Sequence, residues 1–235
     1  MPESVFHFKE FAVHQDRCAM KVGTDGVLLG AWTNASDCKR VLDIGTGTGL
    51  IALMIAQRHP CIIDAIDIDL PAVEQARDNV EASPWADRIT VVHQDLSVFN
   101  PVYKYDLIVS NPPYFIDSYT ANGEARHNAR SASASLSHDE LLTGIIRLLN
   151  DGGRFALILP GREGRLFREQ AGKSGFYCNK LVKVSTGRDK PVKRILMEFS
   201  RTCSGAIEEE LTIHYQEREF TDAYKKLTGD FYLSF

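Results

Sequence analysis

The sequence predicts an α/β fold in which a doubly wound, mostly parallel sheet is covered by helices on both faces. Two observations carry this prediction. Between Arg40 and Leu159, short runs rich in Val, Ile and Leu alternate with amphipathic helical runs, which is the order of repeated β-α-β units. The apolar runs are also nearly continuous, as expected for strands that are buried on both faces.

The individual elements follow in order along this region. Strands are predicted at VLDIG, IIDAIDID, RITVVHQD, DLIVSNPP and RFALILP, and helices at LIALMIAQRH, PAVEQARDNVEA and LLTGIIRLLN. Pro60 can end the first helix, and Pro71 fits the first turn of the second. The stretch from Ser137 to Glu140 has the spacing of a capping box before the third helix, which the Gly152-Gly153 pair is expected to close.

The flanking regions complete this organisation. LVKVSTGRDKPVKRILMEFSR predicts two strands around a turn, and hence an antiparallel hairpin at the edge of the sheet. The small and polar stretch from Thr120 to Ser137 is expected to be mobile without a ligand. We expect residues 1–40 to form an N-terminal segment packed on a main domain of residues 41–235.

Composition narrows the class of protein. The 235 residues carry a net charge of −4, and the five cysteines are scattered without a Cys-x-x-Cys pair, so neither a disulfide framework nor a zinc site is indicated. The N-terminus lacks the pattern of a signal peptide, and no apolar run approaches the ~20 residues that a membrane helix needs. A cytoplasmic protein with no metal and no membrane partner is therefore expected.

The charge is unevenly distributed. The stretch from Pro160 to Ile195 carries +7, so the remainder carries −11. A basic region on an acidic body can bind a polyanion, although a merely solvated surface accounts for it equally well.

A glycine-rich turn follows the first strand of the α/β region. VLDIGTGTGL places Asp43, Gly45, Gly47 and Gly49 between a strand and a helix, where glycines let the backbone approach a ligand and the helix offers free amides. The turn is typical of nucleotide sites. Because its spacing does not complete the Gly-x-Gly-x-x-Gly fingerprint, a dinucleotide dehydrogenase is disfavoured.

Acidic residues end the next two strands, where they can join the glycine turn in one crevice. Asp67 is suited to accept hydrogen bonds from the two hydroxyls of a ribose. Asp69 can equally be a helix cap before Pro71, and Asp95 can be a turn residue. Asp43 can either stabilise the loop or receive a cationic ligand.

The fourth strand runs into Asn111-Pro112-Pro113-Tyr114. Two prolines forbid helix and interior strand, so they hold the backbone stiffly extended after Val109. A stiff loop at a strand end can present acceptor oxygens at a fixed distance from a ligand.

Together, DIGTGTG, IDID, HQD and NPPY resemble the class I S-adenosylmethionine-dependent methyltransferases over nearly the whole chain. The resemblance implies a Rossmann-like sheet of seven strands, S-adenosylmethionine as methyl donor and S-adenosylhomocysteine as product. It assigns the amino-acid part of the cofactor to the three loop glycines, the ribose to Asp67 and the adenine amine to Asp95. The stretch HQDRCAMKVGTDGVLLGAW resembles the segment that covers this cofactor, so Lys21 and Asp25 are weaker candidates, and Asp25 can alternatively be a helix cap.

The same resemblance implies a role for the Asn-Pro-Pro-Tyr loop. An aromatic amine is a poor nucleophile until two acceptors hold its hydrogens, and Asn111 Oδ1 and the Pro112 carbonyl are suited to do so. Neither group is a useful general base, so positioning and electrostatic stabilisation are expected. Pro113 stiffens the loop, and Tyr114 can stack on the base.

The two ends of the chain, FHFKEFAVHQDRCAMKVGTDGVLLGAW and FTDAYKKLTGDFYLSF, resemble bacterial tRNA adenine-N6 methyltransferases. This implies transfer to the N6 amine of an adenine in tRNA, namely adenine 37 beside the anticodon of a valine tRNA. The alternatives are a release-factor glutamine methyltransferase, a ribosomal guanine-N2 methyltransferase and a noncatalytic RNA-binding module. No oligomer is implied. The candidate RNA-binding residues are Arg126, Arg130, Arg162, Arg165, Arg168, Lys193 and Arg194.

Overall fold

A nine-stranded sheet lies at the centre of the computed structural model, which describes residues 4–113, 136–216 and 219–235. The strands are β1 (Val5–His7), β2 (Ala12–His14), β3 (Arg40–Ile44), β4 (Ile62–Asp67), β5 (Ile89–His93), β6 (Tyr105–Ser110), β7 (Leu149–Pro160), β8 (Tyr177–Gly187), β9 (Val192–Ser200), β10 (Ile207–Gln216) and β11 (Glu219–Phe220). The helices are α1 (Thr24–Trp32), α2 (Leu50–Arg58), α3 (Leu70–Glu81), α4 (His138–Leu148), α5 (Gly161–Lys173) and α6 (Asp222–Thr228).

The predicted doubly wound, mostly parallel sheet is confirmed. Its strand order is β11-β10-β8-β9-β7-β6-β3-β4-β5, and the strands from β3 to β7 run parallel to their neighbours in this set. The predicted antiparallel hairpin is β8 and β9, but it does not form the edge of the sheet. β10 pairs in parallel with β8, and the two-residue β11 pairs with β10, so two strands extend the expected seven.

Side chains alternate along the strands between two apolar layers, because successive residues of a strand point to opposite faces. One layer joins Val41, Ile63 and Leu107 to α1, α2, α3 and α6. The other joins Leu42, Ile66 and Ile108 to α4 and α5. Burial on both faces explains why these strands read as continuous apolar runs.

The predicted capping box at the start of α4 is confirmed. The Ser137 amide donates to Glu140 Oε2 at 2.8 Å, and the Glu140 amide donates to Ser137 Oγ at 3.1 Å. The prediction that Gly152 and Gly153 close this helix is wrong. The chain leaves α4 at Leu149 and continues at once into β7, where Gly152 has a positive φ of 80°.

The first strand pair, β1 with β2, packs against the C-terminal region. The Lys9 amide donates to the Phe231 carbonyl at 2.8 Å, and Lys9 Nζ donates to the Gly229 carbonyl at 2.6 Å. The ring of Phe8 stacks on Tyr232 with centroids 6.0 Å apart. These contacts join the turn between β1 and β2 to the residues that follow α6.

Within the described ranges, no helix is both long and apolar enough to cross a membrane. The expectation for the stretch that begins at Thr120 falls, up to residue 135, outside the described residues.

Candidate methyl-transfer site

The crevice lies where the strand order reverses, between β3 and β6. From β3 the chain winds outward through β4 and β5, whereas β6 and β7 lie on the other side of β3. Ile44 pairs with Ser110 at the carboxyl ends of the two strands, and Ser110 Oγ donates to the Ile44 carbonyl at 2.9 Å. The residues that follow, Gly45 and Asn111, therefore leave the sheet side by side, at the position where open α/β sheets bind ligands.

The glycine loop is an open cradle. Gly45, Gly47 and Gly49 have φ values of 71°, 55° and 82°, in the left-handed region that favours glycine. A Cβ added to Gly45 or Gly47 would meet nothing within 4 Å. Glycine at positions 45 and 47 therefore allows the left-handed backbone conformation and leaves the space above the loop open. It is not required there for close packing inside the protein.

Asp67 fastens this loop from the neighbouring strand. Its Oδ2 accepts a hydrogen bond from the Gly47 amide at 2.8 Å, and its Oδ1 accepts one from the Asp69 amide at 3.0 Å. The carboxylate remains partly exposed at the end of β4. Because each carboxylate oxygen can accept more than one hydrogen bond, Asp67 can bind a diol while it holds the loop.

Asp43 lies fully buried beneath the loop. Burial raises the pKa of Asp43 to about 7, although the hydrogen bond that Thr46 Oγ1 donates to Oδ2 at 2.7 Å acts in the opposite direction, and the nearby charge of Asp67 adds to the increase. Asp43 Oδ1 is buried without a hydrogen-bond partner of normal geometry among the described residues. The Asp43 carboxyl therefore stabilises the loop through the hydrogen bond from Thr46 to Oδ2. Its Oδ1 can interact with a cationic ligand.

Asp95 and Asp69 occupy exposed positions on the same rim. Asp95 Oδ1 accepts a hydrogen bond from the Ser97 amide at 2.7 Å, which forms a local turn and lowers the pKa of this carboxyl. Asp69 stands at the N-cap of α3, but its side chain makes no capping hydrogen bond. The turn that the sequence suggested for Asp95 is thus present.

Asn111 is half-buried at the end of β6, next to buried Pro112 and exposed Pro113. Its Nδ2 lies 4.0 Å from Sδ of Met20, whose side chain is 51% exposed. Tyr114 falls outside the described residues, so its stacking role stays a prediction.

The two covering-segment candidates differ in their surroundings. Lys21 is exposed. Asp25 lies in the first turn of α1, one residue after the start, and its Oδ2 accepts a hydrogen bond from Arg194 Nε at 2.7 Å. Asp25 and Arg194, which the sequence assigned to the cofactor and the RNA respectively, are therefore ion-paired with each other.

Carboxylates neutralise part of the basic region. Arg168 Nη1 and Lys183 Nζ lie 3.1 and 3.3 Å from the carboxylate of Glu208, and Lys180 Nζ lies 2.9 Å from that of Glu198. Arg162, Arg165 and Lys193 are exposed at or close to the carboxyl edge of the sheet, on the side of Asn111. Arg126 and Arg130 fall outside the described residues.

Sequence reasoning missed two buried amides on α3. Gln75 and Asn79 are both 1% exposed, and they face the segment that leads from β2 to α1. A signal was available, because the two polar residues are four positions apart on the same face as Ala72, Ala76 and Val80. Polar residues on the apolar face of a helix indicate buried hydrogen bonds.

These observations test the fit of the expected cofactor. An open glycine cradle suits a flexible polar group, Asp67 suits a ribose diol, and buried Asp43 suits a nearby positive charge. S-adenosylmethionine has all three. Across the described residues, no group of three or more His, Cys, Asp and Glu side chains is arranged to hold a metal ion.

Comparison with curated proteins gives full-length relatives. One from Bacteroides fragilis is 44% identical and covers 99% of both chains, and one from Phocaeicola vulgatus is 45% identical and covers 100% of both. Both are named tRNA1(Val) (adenine(37)-N6)-methyltransferase.

Solved structures share the fold at low identity. A predicted O-methyltransferase from Agrobacterium tumefaciens has a TM-score of 0.68 at 17% identity, covering 88% of this chain and 96% of that one. A glycopeptide N-methyltransferase complexed with S-adenosylmethionine has a TM-score of 0.56 at 15% identity, covering 77% and 100%. The family model described as methyltransferase small domain matches residues 20–156. With that match and relatives of this identity over its whole length, the chain belongs to the methyltransferase small domain family of S-adenosylmethionine-dependent enzymes.

Proposed function

We propose that this protein transfers a methyl group from S-adenosylmethionine to the N6 amine of an adenine in tRNA, with adenine 37 of a valine tRNA as the target. The observation that carries the proposal is the adjacency of Asn111 and the glycine loop across the paired ends of β6 and β3. The names of the full-length relatives support the choice of substrate.

The chemistry requires an amine that is held in line with the methyl group at near-attack distance. S-adenosylmethionine supplies an activated methyl group when it is bound. Asn111 Oδ1 and the Pro112 carbonyl accept hydrogen bonds from the two amine hydrogens, which draws the nitrogen lone pair away from the ring. Because an amide and a peptide carbonyl are very weak bases, the proton leaves only after the nitrogen has gained its methyl group.

The loop is well suited to hold these acceptors still. Pro112 has no amide hydrogen and a fixed φ, and the Ser110 hydroxyl ties the end of β6 to β3 just before the loop begins. Rigid acceptors stabilise charge as it develops without the cost of reorganising during the reaction.

The substrate side of the proposal rests on charge. Exposed Arg162, Arg165 and Lys193 lie on the same edge of the sheet as Asn111 and can bind the phosphates of a folded RNA in the cytoplasm. A base in an anticodon loop is already partly unstacked, so turning it into the crevice costs less than it would in a duplex.

The test is methyl transfer from labelled S-adenosylmethionine to total tRNA that lacks this modification, followed by nuclease digestion and identification of the labelled nucleoside. We expect N6-methyladenosine. Deproteinised ribosomal RNA and a release factor, offered as acceptors in parallel reactions, cover the guanine and glutamine alternatives. Label in either of those and none in tRNA would overturn the proposed substrate.

A further inference from the structure

The segment of residues 15–23, which joins β2 to α1 and which we call the covering segment, is anchored by a buried amide. Asn79 Oδ1 accepts a hydrogen bond from the His14 amide at 2.8 Å, and Asn79 Nδ2 donates to the His14 carbonyl at 2.9 Å. The same Nδ2 donates to the Thr48 carbonyl in the glycine loop at 2.9 Å. One side chain therefore fixes the start of the covering segment, α3 and the glycine loop relative to one another.

Further contacts tie the covering segment to α3 and to itself. The Arg17 amide donates to Oε1 of buried Gln75 at 3.1 Å, and the Arg17 guanidinium pairs with Asp78 on the same helix. Within the segment, the Val22 amide donates to Gln15 Oε1 at 2.8 Å. The two amide hydrogen bonds are partly buried, so breaking them leaves polar groups that water reaches incompletely.

The far end of the anchored segment reaches the Asn-Pro-Pro loop. Met20 Sδ lies 4.0 Å from Asn111 Nδ2, so the thioether borders the amide end of the Asn111 side chain. Roughly half of the Met20 side chain remains exposed at this rim. A thioether is apolar and polarisable, and it makes favourable contacts with the edges of aromatic rings.

We propose that Asn79 is a positioning residue of the methyl-transfer site, which acts through the covering segment by holding Met20 against Asn111, where Met20 forms one wall of the pocket for the target base. The inference rests on the proposed function, because it takes Asn111 to be the acceptor that holds the target amine. Asn79 itself touches neither Met20 nor Asn111 in the described contacts, and its effect is transmitted through the anchored backbone.

The experiment compares two buried asparagines that each make three hydrogen bonds. Asn79→Ala removes the anchor, whereas Asn179→Ala removes a bridge at the opposite edge of the sheet, where Asn179 bonds to Ser200, Thr202 and Ser204. We expect both variants to lose thermal stability, but only Asn79→Ala to lower kcat, by about tenfold, because small misplacements at a reacting centre are costly. Measuring kcat at saturating S-adenosylmethionine removes any loss of cofactor affinity that arises through Thr48.

A second set of variants tests whether the effect passes through Met20. We expect Met20→Ala to lower kcat by a similar factor while the Kd for S-adenosylmethionine stays within twofold, and Met20→Leu to retain most of the rate because it restores the side-chain volume. The double variant should lose no more than the larger single loss, since residues in one chain of contacts are not additive.

Equal kcat values for Asn79→Ala and Asn179→Ala would overturn the inference, and so would losses that multiply in the double variant. An unmodified protein that transfers no methyl group to tRNA in the same assay would instead refute the proposed function, so the two failures are distinguishable.

Discussion

Arg194 Nε and Asp25 Oδ2 lie 2.7 Å apart, although the two residues are 169 positions apart in the chain. The ion pair joins β9 to the first turn of α1, and both side chains are partly buried. Arg194 is therefore occupied by a carboxylate at the edge where its neighbour Lys193 is exposed.

This difference predicts opposite phenotypes for two adjacent cations. Lys193→Ala should reduce the slope of log K for tRNA against log salt by about 0.7 to 0.9, the value of one phosphate contact, and leave stability unchanged. Arg194→Ala should cost about 1 kcal/mol of stability because Asp25 loses its partner, with little change in the slope. Salt-dependent filter binding and urea denaturation measure the two quantities. If Arg194→Ala reduced the salt slope as much as Lys193→Ala does, Arg194 would have to leave Asp25 and contact a phosphate in the complex.

Removing the amide of Asn111 should separate binding from chemistry. We expect Asn111→Ala to bind S-adenosylmethionine normally and to lose turnover by on the order of 10²–10³, as when one oriented hydrogen-bonding group is removed from a transition state. Calorimetry and single-turnover methyl transfer check this, with exposed Asn100→Ala as the control. If Asn111→Ala kept normal turnover, Asn111 would have no role in methyl transfer.

Substituting two glycines that both have positive φ can separate the effect of backbone strain from the effect of filling the cofactor site. Gly47 has φ 55° in the cradle, and Gly152 has φ 80° near the start of β7, at the opposite edge of the sheet, with nothing within 4 Å of an added Cβ at either position. Each Ala substitution should cost about 1 to 2 kcal/mol. Only Gly47→Ala should weaken S-adenosylmethionine binding, by more than about tenfold, since its methyl group enters the cradle. The readouts are thermal unfolding and calorimetry, and equal affinities would show that the cradle is not the cofactor site.

The buried carboxyl of Asp43 should make stability depend on pH. Its pKa is about 7 in the folded protein and about 4 when unfolded, so the folded state holds a proton that the unfolded state has released between these values. The contribution of Asp43 to stability is complete below about pH 4 and falls by about 1.4 kcal/mol per unit as the pH rises toward 7.

Asp43→Asn keeps an acceptor for Thr46 but cannot ionise. Relative to the unchanged protein, its unfolding free energy should therefore rise by about 2 to 3 kcal/mol between pH 5 and pH 7, as measured by denaturant titration. Parallel curves for the two proteins over this range would show that Asp43 has an ordinary pKa.

Periodicity was sufficient to predict the layers of the fold, because burial on both faces leaves a direct record in the sequence of β3, β4 and β6. The edge beyond β8 was not predictable in the same way. Glu208, Glu209 and Glu210 make β10 look like a solvated stretch, yet it pairs in parallel with β8. The position of a polar strand such as β10 is determined by the strand it pairs with rather than by its own composition.

In the candidate site, too, some residues were predictable from the sequence and others were not. Residues that follow strands, such as Gly47, Asp67 and Asn111, were predictable because parallel strands bring their carboxyl ends to one edge. The contact between Met20 and Asn111 and the pair between Asp25 and Arg194 depend on where loops and side chains settle in three dimensions. Spacing in the chain carries no record of such contacts.

The turn between β1 and β2 bonds to residues that lie more than 200 positions later in the chain. Lys9 bonds to Gly229, 220 positions later, and at ribosomal rates of about 5–20 residues per second this partner emerges roughly 10 to 45 s after Lys9. The central strands can pair during this interval, while the aromatic contacts around Phe8 and Tyr232 must wait. The strands that lead into the covering segment thus complete their packing only after residues 229–232 have emerged, later than the central strands β3 to β7 can pair.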